Sequence, residues 1–411
     1  MQTALADFIR NTPEGKEADA ILRKCVHCGF CTATCPTYQL LGDELDGPRG
    51  RIYLMKQVLE GKEVTRSTQV HLDRCLTCRN CETTCPSGVQ YGRLVDIGRK
   101  VVEEQVPRPF GARVVRTALK SGLTSPLFGP AMRLGQLARP LLPGSLKSKV
   151  PAPQRAGTTP ARSHPRKMLL LAGCVQPAML PNINAATARV FDALGIELLT
   201  PAAAGCCGAI RYHLNDHDGG LADARANIDA WWPHIEAGCE AIVMNASGCG
   251  AQVREYGHML RNDPAYAAKA QRVAELTKDV AEVLPAMAGE IKSKLKAING
   301  ARVVFHSPCT LQHGQQVRGE VESLLAALGA EVSPVGESHF CCGSAGTYSV
   351  LQPDLAYKLR DRRLGHLEAP GPEVILSANV GCITHLQSGT ERPVQHWIEW
   401  LDARLSGSAT Q

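Results

Sequence analysis

The chain has 411 residues, 44% hydrophobic but only 5% aromatic, which suits two or three soluble globular domains with cores of Ala, Val, Leu and Ile. Its net charge of +6 is mild, its 17 cysteines sit in a chain far longer than a small disulfide scaffold, and no run of about 18 apolar residues occurs, so a fibrous, a disordered and a membrane-spanning protein are all disfavoured. The opening MQTALADFIR carries no charged-then-apolar signal pattern, so a cytoplasmic location is expected, where clustered cysteines act as metal ligands or redox groups.

Residues 1–106 hold two short cysteine runs. The first is Cys25, Cys28, Cys31 and Cys35 followed by Pro36, and the second is Cys75, Cys78, Cys81 and Cys85 followed by Pro86. Both fit C-x2-C-x2-C-x3-C-P, the bacterial ferredoxin spacing. The two-residue gaps let three thiolates point inward from one turn onto three irons of a cube, and the fourth cysteine, followed by Pro, starts a helix aimed elsewhere, in two-cluster ferredoxins at the neighbouring cluster. The expected sets are therefore Cys25, Cys28, Cys31 and Cys85 for one 4Fe-4S cluster, and Cys75, Cys78, Cys81 and Cys35 for the other. Zinc also takes C-x2-C pairs, but it leaves the third cysteine and the prolines unexplained. The runs are separated by 39 residues with helical patterns in RGRIYLMKQVLEG and STQVHLDRC. That favours a helical ferredoxin domain, similar to the one in succinate dehydrogenase iron–sulfur subunits, over a compact hairpin ferredoxin. Gly29 and Gly88 are expected to let backbone amides approach the cluster sulfurs; Arg49 and Arg51 offer positive charge near a cluster, with a solvated surface charge the preferred reading.

Residues 107–166 read as a basic Pro/Gly-rich linker. From Gln105 to Lys167 there are twelve Lys or Arg and no Asp or Glu. Within it, GARVVRTALKSGL and PAMRLGQLARPLL put apolar residues at helical spacing beside Arg113, Arg116, Lys120, Arg133 and Arg139. This pattern suits peripheral contact with an anionic membrane or packing on a partner subunit.

Residues 167–402 contain an internal repeat. Cys174, Cys206, Cys207 and Cys249 are matched by Cys309, Cys341, Cys342 and Cys382 at offsets of 135, 135, 135 and 133, and Cys239 has no counterpart. Each half reads as strand, helix, strand, Cys-Cys-Gly, helix, strand: KMLLLAG, NINAATARVFDALG, ELLT, ADARANIDAWWPHIEAG and AIVMN in the first, and ARVVF, QVRGEVESLLAALG, EVSPV, DLAYKLRDRRLGHLE and EVILS in the second. Two small α/β domains are expected, 167–256 and 301–402, joined by a helical connector over 257–300. Alternating strands and helices make parallel sheets that gather ligands beyond the strands' carboxyl ends, where the cysteines fall. The eight thiols offer ligands for one or two further clusters, with His313 and His385 nearby; the competing reading is small buried core residues. His27, His71, His213, His306 and His339 have no spacing that distinguishes them from ordinary polar residues, and Cys239 reads as a core residue.

No G-x-G-x-x-G after a strand, no P-loop and no Ser-centred elbow occurs, so hydride chemistry must sit on another chain. No DNA-binding helix pair is evident either, so no nucleic-acid partner is expected. The Cys-x31-Cys-Cys-Gly half-motif resembles the cysteine-rich domain of heterodisulfide reductases, but Ala246 and Asn379 stand where that family has one more cysteine per half. CVHCGFCTATCPTYQLLGDELDGPRGRIYLMKQVLEG, HLDRCLTCRNCETTCPSGV, AGCCGA, CCGSAGTY and RPVQHWIE together resemble the iron–sulfur subunits of bacterial glycolate oxidases (glycolate dehydrogenases), over nearly the whole chain. That resemblance implies an oxidoreductase complex in which FAD-containing partner subunits oxidise glycolate to glyoxylate. This chain would accept the electrons singly and pass them on, with a membrane quinone as acceptor. The rivals are the equivalent subunit of a lactate or glycerol-3-phosphate dehydrogenase, and a heterodisulfide-reductase-like thiol-disulfide enzyme.

Overall fold

The structure, a computed structural model, describes residues 1–147, 150–296, 298 and 300–405. Residues 148 and 149 of the basic segment and 297 and 299 of the expected connector lie outside it. The N-terminal region is helical, as its patterns require. Pro13–Lys24 begins with Pro at its first position, where the missing N–H costs nothing, and the Thr12 hydroxyl accepts from the Gly15 amide at 3.0 Å. Pro48–Leu59 buries Ile52, Met55, Val58 and Leu59, and Tyr91–Gln105 buries Leu94, Ile97 and Val101, in both cases at spacings of three and four. These faces and Arg66–Asp73 enclose one core that also takes in Cys25, Cys75 and Cys81.

The basic segment is more regular than a linker. It forms the helices Phe110–Gly122 and Phe128–Leu137, neither of which buries a single residue. Phe110, Leu127, Leu134, Leu137 and Leu141 are each exposed. No helix among the described residues is long and apolar enough to cross a membrane.

The repeat builds two parallel sheets of identical topology. Strands β1 (Arg166–Leu170), β2 (Ile196–Leu199), β3 (Ile242–Met244) and β4 (Thr277–Asp279) lie in the order β2-β1-β3-β4. Strands β5 (Arg302–His306), β6 (Glu331–Val332), β7 (Val374–Ser377) and β8 (Val394–His396) lie in the order β6-β5-β7-β8. Each sheet therefore has one strand more than the pattern predicts. Strand β4 comes from the expected helical connector, and at three residues β4 and β8 are too short to give a periodic signal. After each of them comes a capped turn of helix, Val280–Val283 on Asp279 and Trp397–Asp402 on His396. A single buried cluster spans both sheets, from Val190 and Phe191 to Trp397 and Trp400, and the Arg189 guanidinium pairs with Asp402 across the two halves. The repeats are thus fused through a common core rather than strung on a tether.

Candidate metal centres

The two N-terminal cysteine runs fold into near-identical loops, offset by 50 residues. His27 and Gly29 in one, and Thr77 and Arg79 in the other, have positive φ. The positive φ values turn the chain tightly enough for the intervening cysteines to face one centre. Gly29 thus has its counterpart in Arg79, not in Gly88. The helix expected after the fourth cysteine forms only once: Cys35 precedes the helix Pro36–Leu41, whereas Cys85 leads into a turn before Tyr91.

One cavity is walled by Cys25, Cys28, Cys31 and Cys85, and a second by Cys35, Cys75, Cys78 and Cys81. Cys81 also reaches the wall of the first, so a thin layer separates the two. Burial, followed by the Cys25, Cys28 and Cys85 thiols that face it, pushes the Cys31 thiol up to about 11. Cys28 is exposed, so the first centre meets the surface, while Cys35, Cys75 and Cys81 of the second are buried.

The second centre is wrapped in buried positive charge. Arg51, for which the sequence favoured a solvated surface charge over one placed near a cluster, is 1% exposed. Its guanidinium donates to the His71 carbonyl at 2.8 Å and the Thr37 hydroxyl at 3.1 Å, and pairs with buried Asp46 at 3.4 Å. Arg99 donates to the carbonyls of Leu72 at 2.8 Å and Cys75 at 2.6 Å and to the Thr77 hydroxyl at 2.8 Å. None of these acceptors is a carboxylate. Burial works against the Cys75 thiolate, but the charges of Arg51 and Arg99, the Thr77 amide at 3.4 Å and the Tyr91 hydroxyl at 3.6 Å outweigh it and lower its pKa. The Asp73 and Asp96 carboxylates feel the Arg99 charge but do not hydrogen-bond it, so the guanidinium directed at the Cys75 backbone suits a cavity that holds an anionic group.

In the repeats, Cys174 follows β1, Cys206 and Cys207 follow β2, and Cys249 lies in the first turn of Ser247–Arg254 after β3. Cys309, Cys341, Cys342 and Cys382 occupy the same places around β5, β6 and β7. In each half the four thiols contact one another in series, 174–206–207–249 and 309–341–342–382. The glycine of each Cys-Cys-Gly is required twice over. Gly208 and Gly343 have φ of +85° and +89°, and a Cβ there would strike the Gly220 and Ala356 carbonyls of the following helix. Their amides donate to the Cys206 and Cys341 sulfurs at 3.4 Å. Cys239 stands apart and donates to the Ala241 carbonyl.

The second repeat docks on the second N-terminal centre. Cys309, Cys341 and Tyr348 share a buried cluster with Leu76 and Cys78, and the Tyr348 hydroxyl donates to the Arg74 carbonyl at 3.1 Å. His313 and His385, expected beside the thiols as helpers, direct ring nitrogens elsewhere: His313 to Thr83 and the His339 carbonyl, His385 to the Ala356 carbonyl. The imidazole that does face thiols is His306, whose ring nitrogen lies with the sulfurs of Cys342 and Cys382, all within 4.8 Å of one another. Sequence reasoning passed over it, and over Arg99 and Arg363. The signal was a charged or polar residue inside an otherwise apolar stripe.

Two four-thiol loops on a helical domain, fused to two parallel sheets with cysteines at their carboxyl poles, define an iron–sulfur electron-transfer subunit. Residues 21–89 match the 4Fe-4S dicluster domain, and residues 168–254 and 303–387 match the cysteine-rich domain. The glycolate oxidase iron-sulfur subunit of Escherichia coli (strain K12) is 56% identical over 98% of this chain and 99% of its own length. A probable glycolate oxidase iron-sulfur subunit of Bacillus subtilis (strain 168) is 30% identical over 93% of this chain and 92% of its own. Lactate utilization protein A of Bacillus velezensis is 27% identical, over 58% of this chain and 100% of its own. The chain belongs to the family of glycolate oxidase iron–sulfur subunits.

Proposed function

We propose that this chain is the electron-transfer subunit of a flavin-dependent glycolate dehydrogenase, with one four-iron cluster on Cys25, Cys28, Cys31 and Cys85 and another on Cys75, Cys78, Cys81 and Cys35. Such clusters supply one-electron carriers, which is what a two-electron flavin on a partner subunit needs downstream of it. The observation that carries the reading is the second cavity, where four thiols from two runs meet beside Arg99, a buried cation that hydrogen-bonds no carboxylate. The chain's own residues hold the thiols inward, keep water from the second centre and leave Cys28 at the surface for a partner. Iron, sulfide and zinc analysis of anaerobically prepared protein tests it: about eight iron and eight sulfide per chain are expected from these two sites, and zinc in place of iron would overturn it.

The serial thiols of Cys174, Cys206, Cys207 and Cys249, and of Cys309, Cys341, Cys342 and Cys382, are proposed to bind further iron–sulfur groups. In the second repeat, buried Arg363 supports this. Its Nε and Nη2 have no hydrogen-bond partner, and burial lowers its pKa to about 10 against the opposing pull of Cys342, Glu337, Cys341 and Cys382. The substrate reading rests on the names of the two relatives that match nearly end to end. Assaying the native complex with several 2-hydroxy acids and a dye acceptor separates glycolate from lactate.

The acceptor is proposed to be a membrane quinone, reached at the cytoplasmic face of the membrane through peripheral contact. The exposed apolar residues of Phe110–Gly122 and Phe128–Leu137, flanked by Arg113 and Arg133, suit an anionic interface. The Arg211 guanidinium donates to the Thr124 hydroxyl, just after the first of these helices, at 3.1 Å, and its neighbour Tyr212 lines a cavity of about 250 Å³ that reaches Cys78. A small acceptor arriving from that surface would meet the second centre there.

A further inference from the structure

We propose that His306 is a ligand, through Nε2, to the iron–sulfur group held by the second Cys-Cys-Gly repeat. That site then has a nitrogen donor beside its four sulfurs, and the first repeat has sulfur alone. The inference rests on the proposed loading of the repeat thiols and adds to it a particular donor.

The tautomer of His306 follows from its neighbour. The Ser377 hydroxyl donates its single proton to the His306 carbonyl at 3.1 Å, so toward Nδ1, 2.9 Å away, it can offer only a lone pair. Both contacts are hydrogen bonds at once only when Nδ1 carries the ring proton, which leaves the lone pair on Nε2. His306 is 1% exposed, and Nε2 has no hydrogen-bond partner. An acceptor buried that way is costly unless something binds it. A ring nitrogen of His306 lies within 4.8 Å of the Cys342 and Cys382 sulfurs, and with Nδ1 held by Ser377 the nitrogen left for a metal is Nε2. Fixing one ring nitrogen by a hydrogen bond while the other is left bare is how proteins orient a histidine ligand.

The repeat supplies an internal control. At the offset of 135 that relates Cys174 to Cys309, the position of His306 is held by Leu171, buried at 3%. Packing at this strand end is thus met by an apolar side chain, and the imidazole needs another reason. The helix behind the motif differs in the same sense. Seven residues beyond Gly220 and Ala356, which lie under the two motif glycines, stand Asn227 and Arg363. Only the second repeat combines a bare nitrogen donor with a buried cation.

The test is pulsed EPR on the native complex from cells supplied with ¹⁵N-histidine or unlabelled histidine, in the oxidised and the dithionite-reduced states. A strongly coupled nitrogen that changes with the isotope is expected in the wild type. It should vanish in His306→Leu, a substitution with Leu171 as its precedent for folding, and shift in Ser377→Ala. If iron exceeds the eight atoms of the N-terminal centres and no histidine nitrogen couples, the ligand assignment is wrong while the loading stands. Iron of only about eight per chain would overturn the loading and the ligand together.

Discussion

Arg99 is the residue whose removal should report most clearly on the second centre. Its guanidinium is anchored on the carbonyl of Cys75, whose sulfur lines that cavity, and it hydrogen-bonds two carbonyls and a hydroxyl but no carboxylate. At a charge separation of about 8 Å and an effective dielectric of about 20, one unit charge contributes about 2 kcal/mol to holding one more electron. For a one-electron couple that is about 90 mV. Arg99→Met keeps the side-chain length and removes the charge, so the second cluster should titrate lower by that order, while the exposed first cluster moves far less. The substitution also leaves the Leu72 and Cys75 carbonyls without a donor, at about 1–3 kcal/mol each, so some loss of stability is expected. Arg99→Lys separates the two effects, because it keeps the charge and most of the potential but not the forked hydrogen bonds. The assay is an EPR-monitored redox titration of the complex at known iron content. A fully loaded Arg99→Met protein with an unchanged second potential would refute the electrostatic reasoning.

Gly343→Ala should destabilise the second repeat by several kcal/mol, since it adds a clash with the Ala356 carbonyl to a left-handed φ that alone costs about 1–2 kcal/mol. Gly319→Ala, also at positive φ but with open space around it, should cost only that smaller amount, and thermal unfolding compares the two. His396 caps Trp397–Asp402 by accepting from the Ile398 amide at 3.1 Å, and burial lowers its pKa from 6.5 to about 3. The unfolded chain therefore binds a proton that the folded one refuses, and stability present above pH 6.5 is lost as the pH falls from there towards 3. At about pH 5 the loss is about 2 kcal/mol, and His396→Asn, which caps without titrating, should flatten the acid side of the Tm profile; identical profiles would argue against it. On anionic vesicles, Arg113→Gln with Arg133→Gln should weaken binding by about 2 kcal/mol, at about 1 per basic residue. Arg116→Gln should do less, because Arg116 already pairs with Asp73 at 3.0 Å.

The order of domains, the two cysteine runs and the halves of the repeat were legible because each is written in local spacing. Strands β1, β3, β5 and β7 are continuous apolar runs, and the helices Asn182–Ala193 and Pro353–Glu368 announce themselves by period. What escaped was set by tertiary placement. Arg51 looks solvated beside Arg49 in the sequence, yet Pro48–Leu59 turns it inward onto Asp46, a residue drawn in from the preceding turn. His306 ends an apolar strand and matches no ligand spacing, because its thiol neighbours lie 36 and 76 residues further on. Strands β4 and β8 were lost because three residues carry no period. The docking of Cys309 and Cys341 on Leu76 and Cys78 joins segments more than two hundred residues apart, which spacing within either domain cannot encode.

Rapid mixing of the native complex with glycolate, comparing wild type with Cys28→Ser, tests the central claim most directly. Cys28 is the exposed thiol of the first centre. The account predicts that substrate reduces the partner's flavin in both proteins, while electron delivery to an external acceptor is lost in the variant. A variant that still delivers electrons at the wild-type rate, or one whose flavin is no longer reduced by glycolate, would contradict it.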